Sequence, residues 1–239
     1  LAWLTALCEF PGRRWLDWAL MLPFAIPAYV LAFVFIGLLD FAGPLQTLLR
    51  GYFGADLRLP PVRSSGGVIV VLVLVFYPYV YLLTKAALGE RAVQLMEAAR
   101  LLGADLERRL LKVALPLARP AVMAGVALAL METLADYGVG SYFGLSTFTT
   151  GIYRAWLSMN EPRAAAQLAS MLLLVVALLL TLERRAQSRM RFGISRAGNP
   201  QANDARPVRL TGASAAMAWF LCAIPVVAGF ALPALWLAA

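Results

Sequence analysis

At 239 residues, 62% of them hydrophobic and only 14% charged, the chain carries more apolar side chain than a water-soluble core of this size can hide. That excludes an ordinary soluble domain and places the chain in a bilayer. The net charge of +8, with no His at all, is read as topology and lipid contact and not as nucleic-acid binding.

The chain opens on Trp3 to Phe10, too brief to span, then Pro11, Gly12, Arg13 and Arg14. Residues 1–15 are expected to be the end of a truncated preceding helix and a cytoplasmic lead-in. Trp18 to Leu39 holds 22 uncharged residues, Gly66 to Thr84 holds 19, Ala164 to Leu182 holds 19 and Leu210 to Ala239 holds 30. Roughly 20 residues at about 1.5 Å each cross the hydrocarbon. The stretch from Pro120 meets Glu132 and Asp136 but must also cross, or the basic segment before it and the loop after it fall on the wrong sides.

Continuous apolar runs, without alternation, exclude a barrel. The expected fold class is therefore all-α, a polytopic transmembrane helical bundle. A four-helix core over 16–184 has spans at about 16–41, 66–88, 117–136 and 164–183, with a loop at 89–116. A cytoplasmic linker follows at 185–212, where four Arg precede Ala197 and a turn-rich run from Gly198 to Asp204 cannot pack a core. Residues 213–239 then read as the first helix of a truncated second unit. Pro23, Pro27 and Pro78 are read as kinks within spans, and Tyr77, Tyr79 and Tyr81 as packing residues.

With the Arg13 end inside, 16 of the 21 basic residues fall on the cytoplasmic side, and only Arg50, Arg58, Arg63, Arg154 and Arg163 lie elsewhere. This is the positive-inside pattern. Without His, neither a catalytic triad nor an imidazole metal site can form. Cys8 and Cys222 are isolated, and neither Lys85 nor Lys112 belongs to a phosphate-binding loop. Any nucleotide hydrolysis that drives this chain is on another subunit.

Residues Leu88 to Leu111 are rich in helix formers, with apolar positions at Val93, Met96, Ala99 and Leu101, a break at Gly103, and a second stripe at Leu106, Leu110 and Val113. Two short helices bent at Gly103 are expected, with Leu115-Pro116 letting the chain turn before the next span. An amphipathic segment lying on headgroups would have the same composition. The spacing is more specific. Glu97-Ala98-Ala99, then Gly103, then Val113, then Leu115-Pro116 resembles the EAA loop of ATP-binding-cassette importer permeases, with Val113 where Ile is commoner.

That resemblance implies a type I importer permease in the bacterial inner membrane, with Glu97, Ala98, Ala99, Gly103, Leu115 and Pro116 in a loop that docks on cytoplasmic ATPase subunits. It further implies an extracytoplasmic substrate-binding protein, a second permease half, fused or separate, and no enzymatic activity or bound cofactor in this chain, ATP being hydrolysed by the partner. Met131 to Gly138 and Thr149 to Arg154 also look like the corresponding region of ferric-iron importer permeases with two fused halves, as do Phe10 to Arg14 and Leu22 to Val30. Iron follows from that resemblance alone.

Glu132 and Asp136, four residues apart, could line a path for a cation, or serve interfacial and helix-packing roles. Tyr137, Ser141 and Tyr142 follow in an aromatic, Gly-interrupted run suited to the outer headgroup level. No resident metal site is assigned. The alternatives are import of another small solute such as thiamine, a polyamine, phosphonate or sulfate, an ion-coupled secondary transporter using the two acids, and a membrane-embedded enzyme.

Overall fold

The computed structural model describes residues 1–54, 60–89, 93–191 and 208–238. The elements in order are α1 (Ala2–Leu7), β1 (Cys8–Glu9), α2 (Arg13–Ala19), α3 (Ala28–Leu39), α4 (Pro44–Phe53), α5 (Ser65–Ala87), α6 (Val93–Leu101) and α7 (Leu106–Arg109). There follow α8 (Leu115–Ala135), α9 (Gly138–Phe143), α10 (Phe148–Tyr153), α11 (Pro162–Arg191), β2 (Val208–Arg209), α12 (Ala213–Val226) and α13 (Leu232–Ala238). Among the described residues five stretches are long and apolar enough to cross a membrane: Ala28–Phe53, Ser65–Ala87, Leu110–Ala135, Pro162–Arg185 and Ala213–Ala238.

The proline positions explain where the helices depart from the expected spans. No single helix covers 16–41: α2 ends at Ala19, a 3-10 turn occupies Leu22–Ala25, and α3 begins only after Pro27. Pro23 and Pro27 each lack an N–H, so a continuous ladder through them would lose two bonds within five residues. Pro78, by contrast, leaves α5 unbroken. The Leu74 carbonyl it frees faces Gly229, where an added Cβ would lie 3.3 Å away.

Leu115-Pro116 does not turn the chain. A wide π turn at Leu110–Ala114 leads straight into α8, with the Leu115 N–H reaching back to the Leu110 carbonyl. The same device, a π turn at Val227–Ala231, precedes Leu232-Pro233. A π turn re-registers the ladder just before a residue that cannot donate. Helix α11 continues to Arg191, past the expected start of the linker, and residues 192–207 lie outside the described ones.

The chain divides into two compact units. The first comprises Leu1–Ala19, Pro78–Leu130 and Ala177–Ala223. Its core gathers Leu7, Leu88, Met96, Ala114 and Ala118, with Trp3, Val113, Leu117 and Val122 packed against them. Ala114, Ala118 and Val122 recur every four residues and form one helical stripe. Strands β1 and β2 pair in parallel, Cys8 with Val208 and Glu9 with Arg209. The Leu210 N–H also donates to the Glu9 carbonyl at 2.9 Å.

The second unit comprises Leu20–Tyr77, Met131–Val176 and Ile224–Ala239. Ile26, Leu31, Ala32 and Ile36 meet Val71 and Val75 of α5 and Val139 and Phe143 of α9. Here the Tyr77 hydroxyl donates to the Leu20 carbonyl at 2.7 Å, beside the break before α3.

Glycine permits a close helix approach in the first unit. A Cβ on Gly125 would lie 2.5 Å from the Val80 Cα, whereas one on Gly51 of α4 would meet nothing within 4 Å. Gly125→Ala is therefore expected to destabilise the solubilised protein by about 1–3 kcal/mol through overpacking against backbone. Gly51→Ala should be neutral or stabilise by up to about 1 kcal/mol. Thermal unfolding of the two variants side by side checks the difference.

Candidate functional site

The segment between α6 and α7 forms a sharp elbow. Gly103 sits at φ +78°, in the left-handed region. Its N–H donates to the Arg100 carbonyl at 2.9 Å, and the Ala104 N–H donates to the Ala99 carbonyl at 3.0 Å. These are the paired bonds of a helix terminated by a left-handed glycine. Asp105 then opens α7, its carbonyl accepting from the Arg109 N–H at 3.0 Å.

Met96, 5% exposed, anchors the elbow against Leu7, Leu88, Ala114 and Ala118. With Met96 inward, Glu97 and Ala98 face outward and Ala99 is half-buried. Leu101 and Leu102 are 85% and 87% exposed. The sequence pattern groups Leu101 with the apolar face; five residues beyond Met96, however, it is turned about 140° away. Leu115 and Pro116 lie exposed at the start of α8.

The second constellation splits. Asp136 follows the last residue of α8, and its Oδ2 accepts from the Val139 N–H at 2.8 Å. Its backbone carbonyl accepts from the Thr149 hydroxyl at 2.7 Å, tying the start of α9 to α10. Burial raises the Asp136 carboxyl above the usual range, while the Val139 and Gly140 N–H groups pull it partly back. This carboxyl thus serves α9 as a cap. Glu132 lies one turn earlier on α8, exposed, and Tyr142 stands edge-on to Phe33 at 5.9 Å.

Tyr137 and Ser141 do share a cavity, of about 300 Å³, with Ser146, Thr150, Tyr153 and Arg154. Tyr137 stacks on Tyr153 at 4.3 Å between ring centres. A capping box at Thr147 and Thr150 begins α10 and holds this wall. Neither Glu132 nor Asp136 lines the cavity, and among the described residues Arg154 is its one charged side chain. The spacing of two acids draws attention away from Arg154, whose signal is its place among the few basic residues outside the inner-face segments.

A polar cluster that the sequence pattern does not foreshadow ties α1, α2 and α5 together in the first unit. The Tyr81 hydroxyl donates to Asp17 at 2.6 Å and lies 3.0 Å from the Thr5 hydroxyl. Lys85 pairs with the same Asp17 oxygen. Tyr81 and Lys85, four residues apart on α5, reach it from one face. Cys8 is fully buried; burial pushes its thiol up to about 11 despite nearby Arg13, so it remains a protonated packing residue.

The apolar helices of membrane-crossing length among the described residues define a multi-pass membrane protein. The chain belongs to the binding-protein-dependent transport system inner membrane component family, which matches residues 1–192. It is 30% identical over 194 residues to the sulfate transport system permease protein CysT of Salmonella typhimurium strain LT2, covering 79% of this chain and 68% of that one. It is 30% identical over 137 residues to the molybdenum transport system permease protein ModB of Escherichia coli strain K12, covering 57% and 58%. The putative 2-aminoethylphosphonate transport system permease protein PhnU of the same Salmonella strain is 30% identical over 186 residues, covering 75% and 64%. The chain spans about half to two thirds of the length of these and similar curated relatives.

The cap at Asp136 makes a discriminating prediction. Asp136→Asn keeps an acceptor oxygen for Val139 and should fold and support uptake like the parent. Asp136→Ala should lose about 1 kcal/mol of stability by uncapping α9. Thermal unfolding and uptake by both variants check this; loss of uptake in a stable Asn variant would instead assign a role to the negative charge.

Proposed function

We propose that this chain forms part of the translocation path of an ATP-driven importer, with the elbow as the point where a cytoplasmic ATPase subunit docks. The carrying observation is the bend itself. Gly103 is held left-handed with open space around it, while Glu97, Ala98, Leu101 and Leu102 face outward from a helix anchored by Met96. Small residues at Ala98 and Ala99 allow close approach, Glu97 offers a charge, and the two leucines offer apolar area. Beyond α7 the helical path runs without a turn through the π segment and along the 21 residues of α8, about 30 Å, to Ala135. A push on the elbow would be carried along that rod, in the manner of rigid-body switching between inward- and outward-facing states. An extracytoplasmic binding protein would deliver the substrate, and a second permease half, fused or separate, would complete the path.

For the substrate, ferric iron is the reading carried by the resemblance of Met131 to Gly138 and Thr149 to Arg154. Fe(III) favours hard oxygen ligands such as phenolate and carboxylate, and Tyr137 and Tyr153 present such groups to the cavity. A second reading is an oxyanion, favoured by Arg154 among hydroxyls and by the sulfate, molybdenum and 2-aminoethylphosphonate named for the relatives.

Two experiments test this. Gly103→Ala should cost about 1–2 kcal/mol of local backbone strain while leaving the packing inside the chain as it is. Gly103→Trp should in addition reduce ATPase co-purification and uptake at least about tenfold, a loss of about 1.4 kcal/mol or more at the docking surface. Normal uptake by the Trp variant would overturn the docking role. Cells relying on the full transporter should lose radiolabelled ferric iron uptake on its deletion while keeping sulfate and molybdate uptake; the reverse pattern selects the oxyanion.

A further inference from the structure

Within the first unit an open cavity of about 630 Å³ is bounded by the turn from Phe10 to Trp15 and by Arg209 to Thr211. Three arginines border it, Arg13, Arg14 and Arg209, together with Glu9 and Asp17. Both acids are engaged: Glu9 pairs with Arg209 at 3.5 Å and Asp17 with Lys85. Arg13 and Arg14 make no ion pair among the described residues. Beside them Trp15 and Trp18, 85% and 77% exposed, project three residues apart from one face of α2.

Two unpaired guanidinium groups next to two exposed indoles, at the edge of the first apolar window, combine phosphate-binding chemistry with the amphipathic rings that settle at headgroup depth. We propose that this cavity binds the phosphate of an anionic phospholipid headgroup, Arg13 and Arg14 supplying the donors and Trp15 and Trp18 packing beside the glycerol and upper acyl chain. A small soluble anion would use the arginines equally well but would leave both indoles in water. The exposed pair therefore favours the lipid.

The test uses the full transporter, delipidated in detergent and titrated with phosphatidylglycerol or phosphatidylcholine, with bound lipid counted by native mass spectrometry. Tight retention of phosphatidylglycerol over phosphatidylcholine is expected. Arg13→Gln with Arg14→Gln should weaken it roughly 30-fold, about fivefold for each arginine near an anionic surface. Arg14→Gln alone, at an exposed position, should give about fivefold if the double variant does not fold. Trp15→Ala should weaken retention without changing the preference for the anionic headgroup. Unchanged retention in the Gln variants overturns the proposal, as does displacement of the lipid by millimolar inorganic phosphate, which marks a soluble-anion site. Loss of ATPase co-purification with lipid retention intact also overturns it, because the arginines would then contact protein.

Discussion

The left-handed turn at Gly103 is held by two backbone hydrogen bonds and set in place by one buried side chain, Met96. Together they decide what the aqueous face of this membrane chain displays. The carbonyls of Ala99 and Arg100, two of those left free where α6 ends, are both used by the turn. Because Met96 fixes the rotation of α6, Glu97 and Ala98 must point away from the core. The outward surface follows from the inward anchor.

A bilayer forces the remaining helices to solve the same backbone problem repeatedly. Each proline in a span removes a donor where no water can replace it. Two solutions occur side by side. At Leu115-Pro116 and Leu232-Pro233 a preceding π turn shifts the hydrogen-bond register by one residue, and the helix proceeds. At Pro23 and Pro27 the helix gives way to a 3-10 turn, and the hydroxyl of Tyr77 supplies a hydrogen bond to the Leu20 carbonyl beside the break. Local winding thus absorbs the chemistry of proline, leaving α8 continuous from Leu115 to Ala135.

What could be read from residue order was what depends on near neighbours. The uncharged window from Gly66 to Thr84 lies inside α5, that from Ala164 to Leu182 lies inside α11, and the break at Gly103 follows from a glycine after strong helix formers. What escaped depends on partners distant in the chain. Asp17 meets Lys85 across 68 residues and Tyr81 across 64, so its position at a window's edge gave no hint of the cluster. The pairing of β1 with β2 joins Cys8 to Val208 through strands of two residues each. Asp136 shows the same limit: an acid at the end of an apolar helix has the same spacing whether or not it also caps the next helix, and the hydrogen bond from the Val139 N–H is visible only in the fold.

The elbow's proposed role is contact with a nucleotide-hydrolysing subunit. A photo-reactive amino acid placed at Leu101 or Leu102, the two most exposed apolar side chains there, and illuminated in cells carrying the intact transporter reads that contact directly. A covalent adduct with the ATPase subunit, its yield changing with nucleotide state, is expected. Adducts with phospholipid alone, or labelling of the same positions by a membrane-impermeant reagent added outside, would contradict that role.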